Sequence, residues 1–99
     1  MNRLELDAHI VEREPLRYTP AGVPIVNCTL AHRGTTQEAG MARQIEMTLV
    51  ALAAGEISGR IADLELGESA CFAGFLAPRN RNAKSLVFHI TELLESRED

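Results

Sequence analysis

The sequence predicts an all-β domain, a five-stranded Greek-key β-barrel with a short helix between strands 3 and 4. Three observations carry this reading. Five segments alternate apolar and polar residues, or run apolar at strand length. One segment, residues 55–66, instead spaces its apolar residues at helical intervals. Clusters of proline, glycine and polar residues separate the segments.

The first strand spans 3–13, with Leu4, Leu6, Ala8 and Ile10 on one face and Arg3, Glu5, Asp7 and His9 on the other. The stretch "EPLRYTPAGVP" that follows is a loop, with turn chemistry at Pro20-Ala21-Gly22. Residues 24–33 form the second strand, in which Val26, Cys28 and Leu30 face the core while Asn27, Thr29, Ala31 and Arg33 face out. "GTTQEAG" is expected to be a polar loop. The third strand, 42–53, points Ile45, Met47 and Leu49 one way and Gln44, Glu46 and Thr48 the other. Ile57, Ile61 and Leu64 then make one helical stripe. Gly59 weakens that helix by about 1 kcal/mol relative to alanine, so it is short, and Gly67 stops it. "ESACFAGFLA" is the fourth strand, with a bulge or bend at Gly74. "SLVFHITELL" is the fifth, with Leu86, Phe88 and Ile90 inward. This order suits the OB-fold, whose ligands use the face of strands 2 and 3 and the loops joining strands 1–2 and 4–5.

The 99 residues suffice for a single OB-fold domain covering 1–99. No run approaches the roughly 20 apolar residues of a membrane span. The start "MNRLELDAHI" has acids where a secretion signal needs apolar residues, so a cytoplasmic protein is expected. Cys28 and Cys71 lie in apolar segments and read as buried thiols. His9, His32 and His89 have no metal-ligand spacing, so neither a metal nor a cofactor is expected.

The net charge of −4 disfavours nucleic acid as a partner, but the distribution of charge does not. No acid falls between Glu68 and Glu92, and Arg79, Arg81 and Lys84 all do. Between Glu14 and Glu46 the single acid Glu38 stands against Arg17, Arg33 and Arg43. On the OB plan Arg17 lies in the 1–2 loop, Arg33 ends strand 2 and Arg43 begins strand 3. Arg79, Arg81 and Lys84 occupy the 4–5 loop "APRNRNAKS". Six of the ten cations thus fall on the oligonucleotide-binding elements, on one expected face. Arginine holds phosphate through a bidentate fork, and Asn80, Asn82 and Ser85 add neutral hydrogen bonds. The bland reading of the 4–5 loop is a solvated turn, and of Arg33 an edge charge.

Single-strand binders stack bases on aromatic rings. Phe72, Phe75 and Phe88 sit in apolar strands and are expected in the core. Tyr18, beside Arg17, either stacks a base or covers the barrel mouth. Glu12 and Glu14 form an acid pair on a strand edge, which reads as a solvated face. No nucleophile triad and no glycine-rich phosphate loop is present, so an enzyme is not expected.

The ordered segments "NRLELDAHIVE", "PLRYTPAGVPIVNCTLAHR", "EAGMARQ", "GFLA" and "LVFHITELLE" resemble the PriB family, primosomal replication protein N, small relatives of bacterial single-stranded DNA-binding proteins. The resemblance covers nearly the whole length. It implies an OB-fold homodimer that binds single-stranded DNA in replication restart. There it would stabilise and stimulate the PriA helicase at stalled or repaired forks and bridge it to later primosome loading factors. It also implies DNA contacts by strand-face and 4–5 loop cations, matching Arg17, Arg33 and Arg43 or their neighbours and the loop set Arg79, Arg81 and Lys84. This loop is shorter than in the best-known members. Some members carry an aromatic residue where Met41 stands and tryptophan where Glu46 stands. Met41 still packs on a base, whereas Glu46 repels phosphate, so weaker and more electrostatic binding is expected. Two alternatives stand beside this. One is a primosome protein-interaction module with weak DNA binding. The other is a general single-stranded DNA-binding protein, whose long acidic-tipped tail has no counterpart here, since the chain stops almost directly after the fifth strand.

Overall fold

The computed structural model describes residues 1–94, so the last five positions of the expected 1–99 domain lie outside the described residues. In chain order the elements are β1 (Leu4–Arg13), β2 (Arg17–Tyr18), β3 (Pro24–Glu38), β4 (Met41–Ala54), α1 (Ile57–Asp63), β5 (Ala70–Pro78) and β6 (Leu86–Leu94). The strands neighbour one another as β1-β5-β6-β4-β3, and β3 pairs back with β1 to close a five-stranded barrel. β2 is a two-residue addition outside β3, Arg17 opposite Ile25 and Tyr18 opposite Pro24. The helix follows the third long strand, as expected. With β2 counted it stands between the fourth and fifth strands. All pairs are antiparallel except β4 with β6.

The alternation seen in the sequence sets the core. Leu6, Ala8 and Ile10 of β1 meet Val26, Cys28 and Leu30 of β3, Phe72 of β5, and Phe88 and Ile90 of β6. Ile61 plugs this core from the helix, with Ile57 and Leu64 packed around it. Each fully buried side chain of this size contributes about 1.5–3 kcal/mol through removal from water. Arg13 closes the helix: its guanidinium donates to the carbonyls of Ile61 and Leu64, at the negative end of the helix dipole.

Three expectations change. The segment "GTTQEAG" is not a loop. β3 continues to Glu38 and β4 starts at Met41, so the two form a long ribbon around the turn Ala39-Gly40. Both turn residues have positive φ, 56° and 79°, which is the tight hairpin turn whose twist matches its strands. The ribbon outruns the barrel, so Met47 is exposed although its face leads inward to Leu49 and Ala51. Phe75 and Leu86 are also exposed rather than in the core.

Cys28 and Cys71 are free and buried. Burial pushes the Cys28 thiol up to about 11, against the pull of Arg13 in the other direction. An unfolded thiol titrates near 8.5, so the fold favours the neutral form. The resulting stability is complete below about pH 8.5 and is lost as pH rises through about 11. The denaturation midpoint is expected to fall over that window. Cys28→Ala is expected to flatten the fall, as read by chemical unfolding at a series of pH values.

Candidate nucleic-acid interface

Cross-strand partners share a face, which places each cation. On the outer face of the β3–β4 ribbon lie Asn27 opposite Leu52, Thr29 opposite Val50, Ala31 opposite Thr48, and Arg33 opposite Glu46. Arg17 joins this face through its partner Ile25. Arg79 follows the end of β5, and with Arg17 it lines one cleft of about 670 Å³. The floor of the cleft includes Asn27, Thr29 and Val50, and its rim carries Glu12, Arg13 and Glu14. Arg13 is committed to the helix carbonyls, so the cations open to a ligand there are Arg17 and Arg79.

The six expected cations therefore do not form one face. Thr36 is opposite Arg43 and Glu38 is opposite Met41, so Arg43 and Met41 lie on the other side of the ribbon from Arg33. Strand alternation separates them, because 33 and 43 fall on opposite parities across this hairpin register. Both ribbon arginines are also engaged by acids. Arg33 Nη2 lies 2.9 Å from Glu46 Oε2, and Arg43 Nη1 lies 2.6 Å from Glu38 Oε1. Arg17, Arg79, Arg81 and Lys84 make no ion pair among the described residues.

The connection between β5 and β6 is tied rather than open. Asn80 Oδ1 accepts a hydrogen bond from the Asn82 backbone N–H at 3.0 Å, and the Asn80 carbonyl accepts from Ala83 at 3.1 Å. This Asx-type turn presents Arg79 at the cleft and leaves Arg81 and Lys84 exposed. The Asn80 side chain is thus occupied by the turn. Tyr18 is 67% exposed, but opposite Pro24 it lies on the other face of the sheet from Arg17 and does not line the cleft, and Met41 is 71% exposed at the ribbon tip.

Sequence reasoning missed one aromatic. Phe75 stacks on His89 with ring centroids 4.7 Å apart and an interplanar angle of 7°. Simple alternation from the buried Phe72 would have turned Phe75 outward, but the apolar run around it hid the signal.

A second hollow opens where β1 leaves β3. Leu4–Ala8 pair with β5, while pairing with β3 begins only at His9 opposite Ala31. His32 Nδ1 lies 2.6 Å from the Asp7 carbonyl there, and Arg33, Glu46 and Met47 line the same hollow. Among the described residues no group of three or more His, Cys, Asp or Glu gathers as a metal site. No described helix is long and apolar enough to cross a membrane.

A family described as "another single-strand binding protein family" matches residues 2–92. The replication restart protein PriB of Bordetella pertussis is 37% identical over 92 residues, covering 93% of this chain and 86% of that one. The structure of PriB from Ralstonia solanacearum is 49% identical with a TM-score of 0.85, covering 95% of this chain and 96% of that one. The single-stranded DNA binding protein of Thermus aquaticus shares the fold, with a TM-score of 0.72 at 24% identity over 98% of this chain and 52% of that one.

Proposed function

This chain belongs to the PriB family of replication restart proteins, within the single-strand binding proteins, and on that premise we propose that it binds single-stranded DNA as an accessory protein of the replication-restart primosome. One observation carries the reading: two arginines with no ion pair among the described residues, Arg17 and Arg79, line one outer-face cleft together with the hydrogen-bonding side chains of Asn27 and Thr29, with Glu12 and Glu14 also lining it. Phosphates would sit against the two forks, and Asn27 and Thr29 would face the sugar and base edges. Arg81 and Lys84 extend the positive end along the connection. Tyr18 and Met41 lie on the other face of the sheet from the cleft, so a strand would reach the Tyr18 ring or the Met41 side chain only by passing the sheet edge or the ribbon tip.

The protein is read as a binding protein and not an enzyme, working in the cytoplasm. Its finer role is to stabilise and stimulate the PriA helicase at stalled or repaired forks and to connect it with later loading factors. A homodimer belongs to the same reading. The ion-paired arginines and exposed methionines of the ribbon favour a share of partner binding there, beside the DNA.

The test is a salt titration of binding to labelled oligo(dT). Each phosphate neutralised on a single strand contributes a slope of about −0.7 in log affinity against log salt. Three to four contacts by the unpaired cations therefore give a slope of roughly −2 to −3. A flat response would defeat the reading. Repeating the measurement with PriA present separates DNA affinity of the protein alone from affinity gained through the helicase.

A further inference from the structure

We propose that the stacked Phe75–His89 pair is a subsite for one unpaired nucleobase. This rests on the single-stranded DNA reading and names a place within it. The pair sits on the outer face of the barrel. Phe75 is opposite His89 across β5–β6, His89 is opposite Leu52 across β6–β4, and Leu52 is opposite Asn27 across β4–β3. Asn27 lines the cleft with Arg17 and Arg79, so the aromatic pair lies on the same outer face, two strands away from it. Arg79 lies four residues beyond Phe75, about 13 Å at the rise of a strand. A strand held by its phosphates at Arg79 brings a neighbouring base to the ring.

The pair is organised before any ligand arrives. The β5–β6 register shifts between Ala73 and Gly74, opposite an extra residue, Thr91, in β6. Gly74 lets the strands approach so closely that a Cβ there would lie 1.8 Å from the His89 carbonyl oxygen. The His89 backbone is thereby held against β5, and its ring lies flat along Phe75. Phe75 remains 38% exposed. Stacking on a ring already packed on one side costs little side-chain ordering, unlike stacking on the more exposed Tyr18. The ring face accepts any base, which fits recognition without sequence preference.

The chain has no tryptophan, so Phe75→Trp introduces its one indole at the subsite, excited apart from Tyr18. Binding of the full chain to oligo(dT) is compared with binding to an abasic phosphodiester strand of equal length. Phe75→Leu, which keeps apolar bulk without the ring face, is expected to weaken oligo(dT) binding by roughly 5- to 100-fold. Affinity for the abasic strand and the salt slope stay at wild-type values. Phe75→Trp retains oligo(dT) binding, and its emission is quenched by oligo(dT) but not by the abasic strand. Wild-type affinity of Phe75→Leu for oligo(dT), or equal losses on both strands, would overturn the subsite while leaving the DNA reading intact. If Phe75→Leu does not fold, by circular dichroism, the tryptophan decides: unquenched emission with oligo(dT) bound overturns the proposal. Absence of wild-type binding to either strand overturns the DNA reading, and the subsite with it.

Discussion

Gly74→Ala is expected to be among the most destabilising single substitutions in the barrel, at more than about 4 kcal/mol. The added Cβ would lie 1.8 Å from the His89 carbonyl oxygen, 2.8 Å from its carbonyl carbon and 3.1 Å from the Ile90 Cα. Every one of these atoms is backbone, so no rotamer change relieves the overlap. Ordinary overpacking costs about 1–3 kcal/mol because side chains give way. Here relief requires β5 and β6 to part, beside Phe72 and Phe88 in the core. Chemical denaturation of the purified variant reads the loss. The control is Gly59→Ala in α1, where a Cβ meets nothing within 4 Å. Removing a helix-interior glycine there stabilises by about 1 kcal/mol. If Gly74→Ala instead unfolds within about 1 kcal/mol of wild type, the close approach of the two strands is not obligatory.

The position of Gly74 shows what was legible in the sequence. A glycine inside an apolar strand marks close backbone approach, and the register shift stands beside it. Strand periodicity gave the core positions of β1 and β3, because one face of each is buried and the other is not. It failed for Met47 and Leu86, which keep inward parity but lie where the barrel has ended. Periodicity reports which way a side chain points and not whether anything is there to cover it. Gly34, Thr35 and Thr36 look like punctuation in composition, which hides the ribbon. The two threonines are β-branched strand formers, and the actual turn needed only Ala39 and Gly40.

The candidate site was legible as a set of residue types but not as a surface. Arg17 and Arg79 are 62 positions apart in the chain, and only barrel closure brings both to one cleft. Arg33 and Arg43 fall together in the sequence because they flank the same connection. Their separation follows from hairpin register, which a seven-residue loop assumption concealed. Their acid partners Glu46 and Glu38 were visible in the sequence as neighbours, but pairing depends on the same register. Arg13 had no sequence signal for its role, since the carbonyls it holds come from a helix 48 and 51 residues away.

That division between engaged and free arginines leads to the second large effect. Arg17→Ala with Arg79→Ala is expected to weaken oligo(dT) binding by roughly 25-fold at 0.1 M salt, since each lost phosphate contact accounts for about 5-fold between 0.1 M and 1 M. The salt slope becomes shallower by about 1.4. Arg33→Ala with Arg43→Ala removes the same formal charge, but those guanidiniums already face Glu46 and Glu38 at 2.9 and 2.6 Å. To bind phosphate each must first exchange a carboxylate for it, and the freed acid then repels the strand. The second pair is therefore expected to cost only a few-fold, with a slope change of less than one contact. Both double variants carry the same net charge, so a general field effect would weaken them equally. Equal losses would mean that the total charge governs binding. A larger loss for Arg33 and Arg43 would move the DNA path onto the ribbon and away from the cleft.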